Sequence, residues 1–150
     1  MTRWALIFVG LLLSLTLSTA RASDEAIEVM NDYMAFQEYE SGIMVPQQID
    51  QMVFEASTFI DTRDAEQYET ATIPGAINIE WRQVLERIDE IPEEGKVILF
   101  CNTGSLSAQA TFALRVAGRE NVVVLQSGFL GWQAAWSNNL PLALSLEQAK

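Results

Sequence analysis

The sequence predicts an α/β domain whose mainly parallel sheet is covered by helices on both faces. Three observations carry that expectation. Val97 to Phe100 and Val122 to Leu125 are unbroken apolar runs, the mark of strands buried on both sides. Between them Ala110, Ala113, Leu114 and Ala117 recur at helical spacing and give one apolar helix face. Strand signals alternate with helix signals over most of the chain, the pattern of parallel strands joined by crossover helices. The sequence contains no repeat, low-complexity tract or interdomain linker.

The chain opens with Arg3, an apolar stretch from Trp4 to Leu13 and on to Leu17, and then Ala20-Arg21-Ala22. A short positive region, an apolar core and a small-x-small exit predict a cleavable signal peptide over residues 1–22, cut before Ser23. A membrane-spanning helix needs about 20 apolar residues, more than this stretch supplies. No cysteine follows the core to carry a lipid, and no twin arginine precedes it. The mature protein is therefore expected in the periplasm or outside the cell, with no membrane attachment.

Residues 23–42 form an extra N-terminal segment. Ile27, Met30 and Met34 make one stripe and Ala26, Val29, Tyr33 and Phe36 its neighbour, which predicts an amphipathic helix over 24–40. It lacks the lysines of a membrane-surface helix and is expected to pack on the body or on a partner.

Residues 43–145 are expected to form the domain. Ile43 to Val45 is a short strand, and Pro46 suits the first turn of a helix reaching about Phe54. Phe59-Ile60-Asp61 reads as a buried strand, and Asp64 with Gln67 three residues on caps a short helix. Ile73-Pro74-Gly75 is a turn, with proline fixing the second position and glycine accepting the left-handed third. Ala76 to Ile79 is the next strand, and Val84, Leu85 and Ile88 predict a helix over 82–88. Gly118 ends the helix after Val97–Phe100. "GFLGWQAAW" starts the last helix, which closes before Asn138-Asn139-Leu140-Pro141.

Removing residues 1–22 takes away Arg3 and Arg21, leaving seven basic against twenty acidic residues and a net charge of −13. That surface excludes nucleic acid and anionic lipid as partners and slows the approach of small anions. One cysteine cannot form an internal disulfide. With one cysteine and no histidine, metal binding has little support and no cofactor is expected. The lone thiol is a reactive group, an intermolecular linker or an inert buried residue, and its neighbourhood must decide.

Cys101 stands at the carboxyl end of what reads as the central strand, where open parallel sheets bind ligands. "NTGSLS" (102–107) offers a run of backbone N–H groups: Gly104 lets the loop curl and Ser107 suits the helix N-cap. Inward amides and a helix N-terminus form an anion-binding nest and depress a cysteine pKa from about 8.5. The expectation is an anionic sulfur nucleophile cradled by main-chain amides, with no base required.

Four stretches, "IDTR" (60–63), "EQYETATIPGAINI" (66–79), "VILFCNTGSLSAQA" (97–110) and "NVVVLQSGFLGWQAAW" (121–136), resemble a single-domain rhodanese, a sulfurtransferase domain, from about Val45 to Leu142. The resemblance implies a three-layer α/β fold with a mostly parallel five-stranded sheet. It implies that Cys101 takes a sulfane sulfur from thiosulfate or a persulfide and passes it to a thiophilic acceptor such as cyanide, a thiol or a partner protein. Asn102, Thr103, Gly104, Ser105, Leu106 and Ser107 would bind substrate through their amides. Asp61 and Arg63 match a structural ion pair, and Trp132 a core tryptophan. Phe129 and Leu130 belong to the core or to the mouth of the site.

This sequence departs from the family pattern at three places. Leu106 replaces a loop arginine, which weakens the case for thiosulfate. Thr72 and Ala71 stand for a histidine and a glycine, and Ser127 replaces the first of two glycines. A phosphatase of related fold would need an arginine six residues after the cysteine, where Ser107 stands. A disulfide oxidoreductase would need a second cysteine. The competing function is a non-turnover sulfur-carrier or binding module acting on a partner, which Leu106 and the extra helix favour.

Overall fold

A computed structural model of the protein describes residues 23–138; the expected signal peptide and the chain from 139 onward, including the Asn139-Leu140-Pro141 close, lie outside the described residues. The chain divides into two units, one up to Glu38 and one from Tyr39. In the first, α1 spans residues 23–35, shorter than the expected 24–40. Extending it would place Glu38 and Glu40 in the last turn, where carboxylates oppose the helix dipole.

The second unit holds five strands, β1 (Ile43–Met44), β2 (Ser57–Asp61), β3 (Ile77–Asn78), β4 (Lys96–Phe100) and β5 (Val122–Leu125). Their spatial order is β1-β5-β4-β2-β3, with every pairing parallel. β4 is central, with Phe59 opposite Ile98, Asp61 opposite Phe100, and Val97 opposite Val122.

Side chains alternate along β4 as the pleat requires. Ile98 and Phe100 join one core with Phe59, Leu125, Phe129 and Trp132. Val97 and Leu99 join the other with Ile60, Val122, Ala110 and Leu114. Each such side chain contributes about 1.5–3 kcal/mol when fully buried. That double burial is why residues 97–100 contain no polar side chain.

The helices supply the two covering layers. On one face lie α2 (Gln51–Ala56) and α5 (Gly128–Asn138), with Val53 and Phe54 of α2 packed against the core that holds Phe129 and Trp132. On the other lies α4 (Ser105–Val116), through Ala110 and Leu114. The short α3 (Ala65–Thr70) begins at Asp64, whose carboxylate accepts the Gln67 amide at 2.9 Å. The 73–75 turn forms as expected, with the Ala76 amide donating to the Ile73 carbonyl at 3.0 Å and Gly75 at φ +79°.

Two expected helices are different. Pro46 opens only a 3-10 turn over Pro46–Gln48. Ile49 then runs extended into the core, and Asp50 starts α2 afresh by accepting the Val53 amide at 2.8 Å. Residues 82–88 are not one helix but run from a 3-10 turn at Trp81–Gln83 through a turn at 84–87 into a second 3-10 turn at Ile88–Glu90. Val84 is buried while Leu85 is half exposed, so a three-residue stripe offers too little burial to offset helix nucleation.

Candidate active site

Parallel pairing brings the loops after β2, β3 and β4 to one edge of the sheet. The Thr62 amide and hydroxyl both donate to the Phe100 carbonyl, at 2.8 and 2.9 Å, which ties the first of these loops to the end of β4. Cys101 follows immediately. A cavity of about 330 Å³ opens there, lined by Cys101, Thr103 and Leu106 together with Arg63, Trp81 and Arg82.

The Cys101 residue is only 3% exposed, yet its sulfur faces peptide groups. The Gly104 amide donates to Sγ at 3.2 Å. The buried Ser107 hydroxyl lies 3.6 Å from Sγ and 3.1 Å from the Gly104 carbonyl, so its single proton serves either acceptor. Burial pushes the thiol pKa up, but the amides of Ser107, Thr103 and Leu106 and the Ser107 hydroxyl outweigh it, and the pKa lies below the ordinary cysteine value.

The loop closes in this way because Gly104, not Ser107, is the N-cap of α4. Gly104 adopts φ +98°, and a Cβ there would come within 3.3 Å of the Leu125 carbonyl oxygen. Ser107 moves into the first helical turn, where its hydroxyl turns toward the sulfur. The structure thus corrects the expected capping role of Ser107. Ser105 is exposed and does not line the cavity, its hydroxyl paired with that of Thr103 at 3.3 Å.

From the opposite side, the start of α5 clamps the same loop. The Phe129 amide donates to the Cys101 carbonyl at 2.7 Å and the Leu130 amide to the Asn102 carbonyl at 3.1 Å. Ser127, ahead of α5, holds φ +65°, a left-handed conformation better suited to glycine.

Asp61 and Arg63 form a buried ion pair at 2.6 Å, with Asp61 fully buried and Arg63 6% exposed. Thr72 stands where the family pattern has a histidine, and its hydroxyl donates at 2.8 Å to Asp61 Oδ2, the same oxygen that pairs with Arg63. Arg63 does more than brace strands. Its guanidinium lies 4.5 Å over the Phe129 ring and donates to the Asn102 side-chain oxygen at 3.1 Å. Trp132 packs in the core, while Phe129 and the exposed Leu130 line a second cavity beside the first.

Trp81 and Arg82 escaped the sequence reading. Arg82 is exposed and bound through Nε to Glu80 at 3.0 Å, with its guanidinium 5.9 Å from the Trp81 ring. Their signal was positional: they follow the strand next to β2, and all loops after parallel strands reach one edge.

Residues 45–135 match the Rhodanese-like domain family. The chain belongs to it. This rhodanese-like domain is 39% identical over 72 residues to the thiosulfate sulfurtransferase PspE of Escherichia coli K12, covering 47% of this chain and 69% of that protein. It is 30% identical over 78 residues to the putative sulfur carrier protein YrkF of Bacillus subtilis 168, covering 52% of this chain but 42% of that one. The span falls to 21% of another curated relative. Among solved structures, a rhodanese-related protein of Thermoplasma volcanium superposes with a TM-score of 0.57 at 24% identity, covering 65% of this chain and 93% of that one. The rhodanese-like domain thus has the five-stranded α/β sheet that its sequence predicts.

Proposed function

We propose that the protein is a sulfurtransferase working through a Cys101 persulfide. The carrying observation is the Gly104 amide 3.2 Å from Sγ, in a loop whose amides and Ser107 hydroxyl lower the thiol pKa. A helix N-terminus and convergent N–H groups stabilise a thiolate, and the same donors stabilise the negative sulfur of a persulfide. With thiosulfate, the Cys101 thiolate attacks the outer sulfur, the Sγ–S bond forms, the S–S bond of thiosulfate breaks, and sulfite leaves with the bonding pair. With cyanide, the terminal sulfur passes to carbon, thiocyanate departs and the thiolate returns. Neither half-reaction needs a proton donor, a metal or a histidine. In this reading residues 1–22 direct export and are removed, so that transfer takes place in the periplasm or outside the cell.

A second reading is a sulfur carrier that loads but does not turn over by itself. Leu106 favours it: a half-exposed leucine lines the cavity where a cation would help hold a small dianion. PspE, a thiosulfate sulfurtransferase matched over 69% of its length at 39% identity, supports the first reading, and YrkF, a putative sulfur carrier matched over 42% of its length at 30% identity, supports the second.

Intact-mass measurement of the mature protein after exposure to thiosulfate or an organic persulfide tests both. Gain of one sulfur atom, lost in Cys101→Ser, is expected. Steady thiocyanate production then identifies the enzyme, and loading without turnover the carrier. No mass gain from any donor, with Cys101 resistant to alkylation, overturns both.

A further inference from the structure

The cavity beside the Cys101 pocket measures about 320 Å³, at the small end of the about 300–1,000 Å³ usual for ligand sites. Phe129 and Leu130 give it an apolar wall, and Glu66, Thr70 and Gln133 line the remainder. Arg63, Gln67 and Asn102 line both cavities. These three are one hydrogen-bonded unit: Asn102 donates to the Gln67 side-chain oxygen at 2.6 Å and accepts from Arg63 at 3.1 Å. The rim that the two cavities share is therefore built on the residue that follows Cys101.

The two charged residues lining the second cavity, Arg63 and Glu66, are not equally free. Arg63 contributes little free positive charge, because Asp61 pairs with it and its remaining donors meet Asn102 and the Ala71 carbonyl. Glu66 is exposed, and among the described residues no cation pairs with its carboxylate. An apolar wall beside an unmatched carboxylate suits a short aliphatic stem ending in an ammonium group. It disfavours a carboxylate or a sulfonate in the same place.

The geometry points to this cavity as a subsite for the body of the sulfur donor, a small aminothiol persulfide whose outer sulfur reaches Cys101 across Asn102 while its ammonium faces Glu66. The inference rests on the sulfur-transfer reading above. In the step it describes, the Cys101 thiolate attacks the outer sulfur, the Sγ–S bond forms and the donor S–S bond breaks. The inner sulfur leaves with the electron pair as an aminothiolate and takes the proton that the outer sulfur carried. No external oxidant or reductant is required.

The test compares initial rates of sulfur gain at Cys101 from cysteamine persulfide, 3-mercaptopropionate persulfide and thiosulfate. Each rate is divided by that donor's rate with free N-acetylcysteine. The ammonium probe is expected to load about 25-fold faster than the carboxylate probe, since Glu66 favours the one and disfavours the other by about fivefold each, the scale of one unit charge a few ångströms away in high dielectric. Glu66→Lys should invert that order. Glu94→Lys, the same charge change at an exposed position ahead of β4, should preserve it. Leu130→Trp, which fills the cavity, should slow both organic probes relative to thiosulfate. Loading by all three donors without charge preference, or equal effects of Glu66→Lys and Glu94→Lys, overturns the subsite and leaves sulfur transfer intact. Failure of every donor to load Cys101 overturns both.

Discussion

The backbone of Gly128 lies directly against the carbonyl of Cys101: a Cβ on Gly128 would stand 2.3 Å from that oxygen and 2.7 Å from the Asn102 carbonyl carbon. Gly128 also holds φ +55°, so both space and conformation require glycine there. This contact lets α5 approach closely enough for its first amides to fix the loop that presents the sulfur.

Gly128→Ala should therefore move the loop as well as destabilise the fold. Overpacking costs about 1–3 kcal/mol, and the left-handed backbone adds about 1–2 kcal/mol for a residue with a Cβ. Urea denaturation should show a loss in that combined range. Alkylation of Cys101 should change in rate under native conditions. A variant of unchanged stability and unchanged alkylation rate would contradict this account of the clamp.

The lowered Cys101 pKa has two consequences with the same sign. Alkylation should reach half its maximal rate below the pH near 8.5 expected of a free cysteine. An acidic group whose folded pKa is depressed stabilises the fold above its unfolded pKa, and that contribution fades as pH falls through the folded value. Stability relative to Cys101→Ser should therefore rise with pH across the interval between the two values. Ser107→Ala removes a hydroxyl 3.6 Å from Sγ and should shift the alkylation midpoint upward. A midpoint unmoved by Ser107→Ala would show that the amides act without it.

Asp61→Ala leaves the Arg63 guanidinium, 6% exposed, without its carboxylate. Removing one partner of a buried pair costs about 3–5 kcal/mol. Denaturant titration should find a loss of that size. Asp61→Ala combined with Arg63→Met should lose less than the sum of the single variants, since no unpaired charge remains. Simple additivity would rule out the pair as a coupled unit.

Leu106→Arg supplies a cation at the rim of the cavity that holds Cys101. Sulfur loading from thiosulfate should improve about fivefold, through tighter donor binding rather than a faster chemical step. The dependence of loading rate on thiosulfate concentration separates the two. An unchanged concentration dependence would mean that Leu106 does not govern anion affinity.

Much of this protein is legible in the order of its residues because burial writes itself into composition. Val97–Phe100 and Val122–Leu125 are apolar without a break, and each pairs in parallel with a neighbour at the centre of the sheet. Asp64 with Gln67, and Pro74 with Gly75, are short-range geometries that neighbouring atoms decide. The position of Cys101 at the end of β4 follows from the same local signals.

What the sequence could not decide depends on contacts between residues far apart in the chain. The stripe over 82–88 satisfied helical spacing, but Val84 alone of its three apolar positions is buried and the segment settles into turns. Ser107 had the chemistry of a cap, yet Gly104 takes that place at φ +98°, a conformation that residues with a Cβ rarely adopt, beside a Leu125 carbonyl that a Cβ would crowd. Arg63 looked like a brace for strands and also shares Asn102, 39 residues away, with Gln67. Local order thus determined the strands, the turns and the place of the thiol, since those follow from burial and backbone torsions within a few residues. Only tertiary packing decided which donors surround the sulfur and how two cavities meet, because those distances are set where separate loops converge.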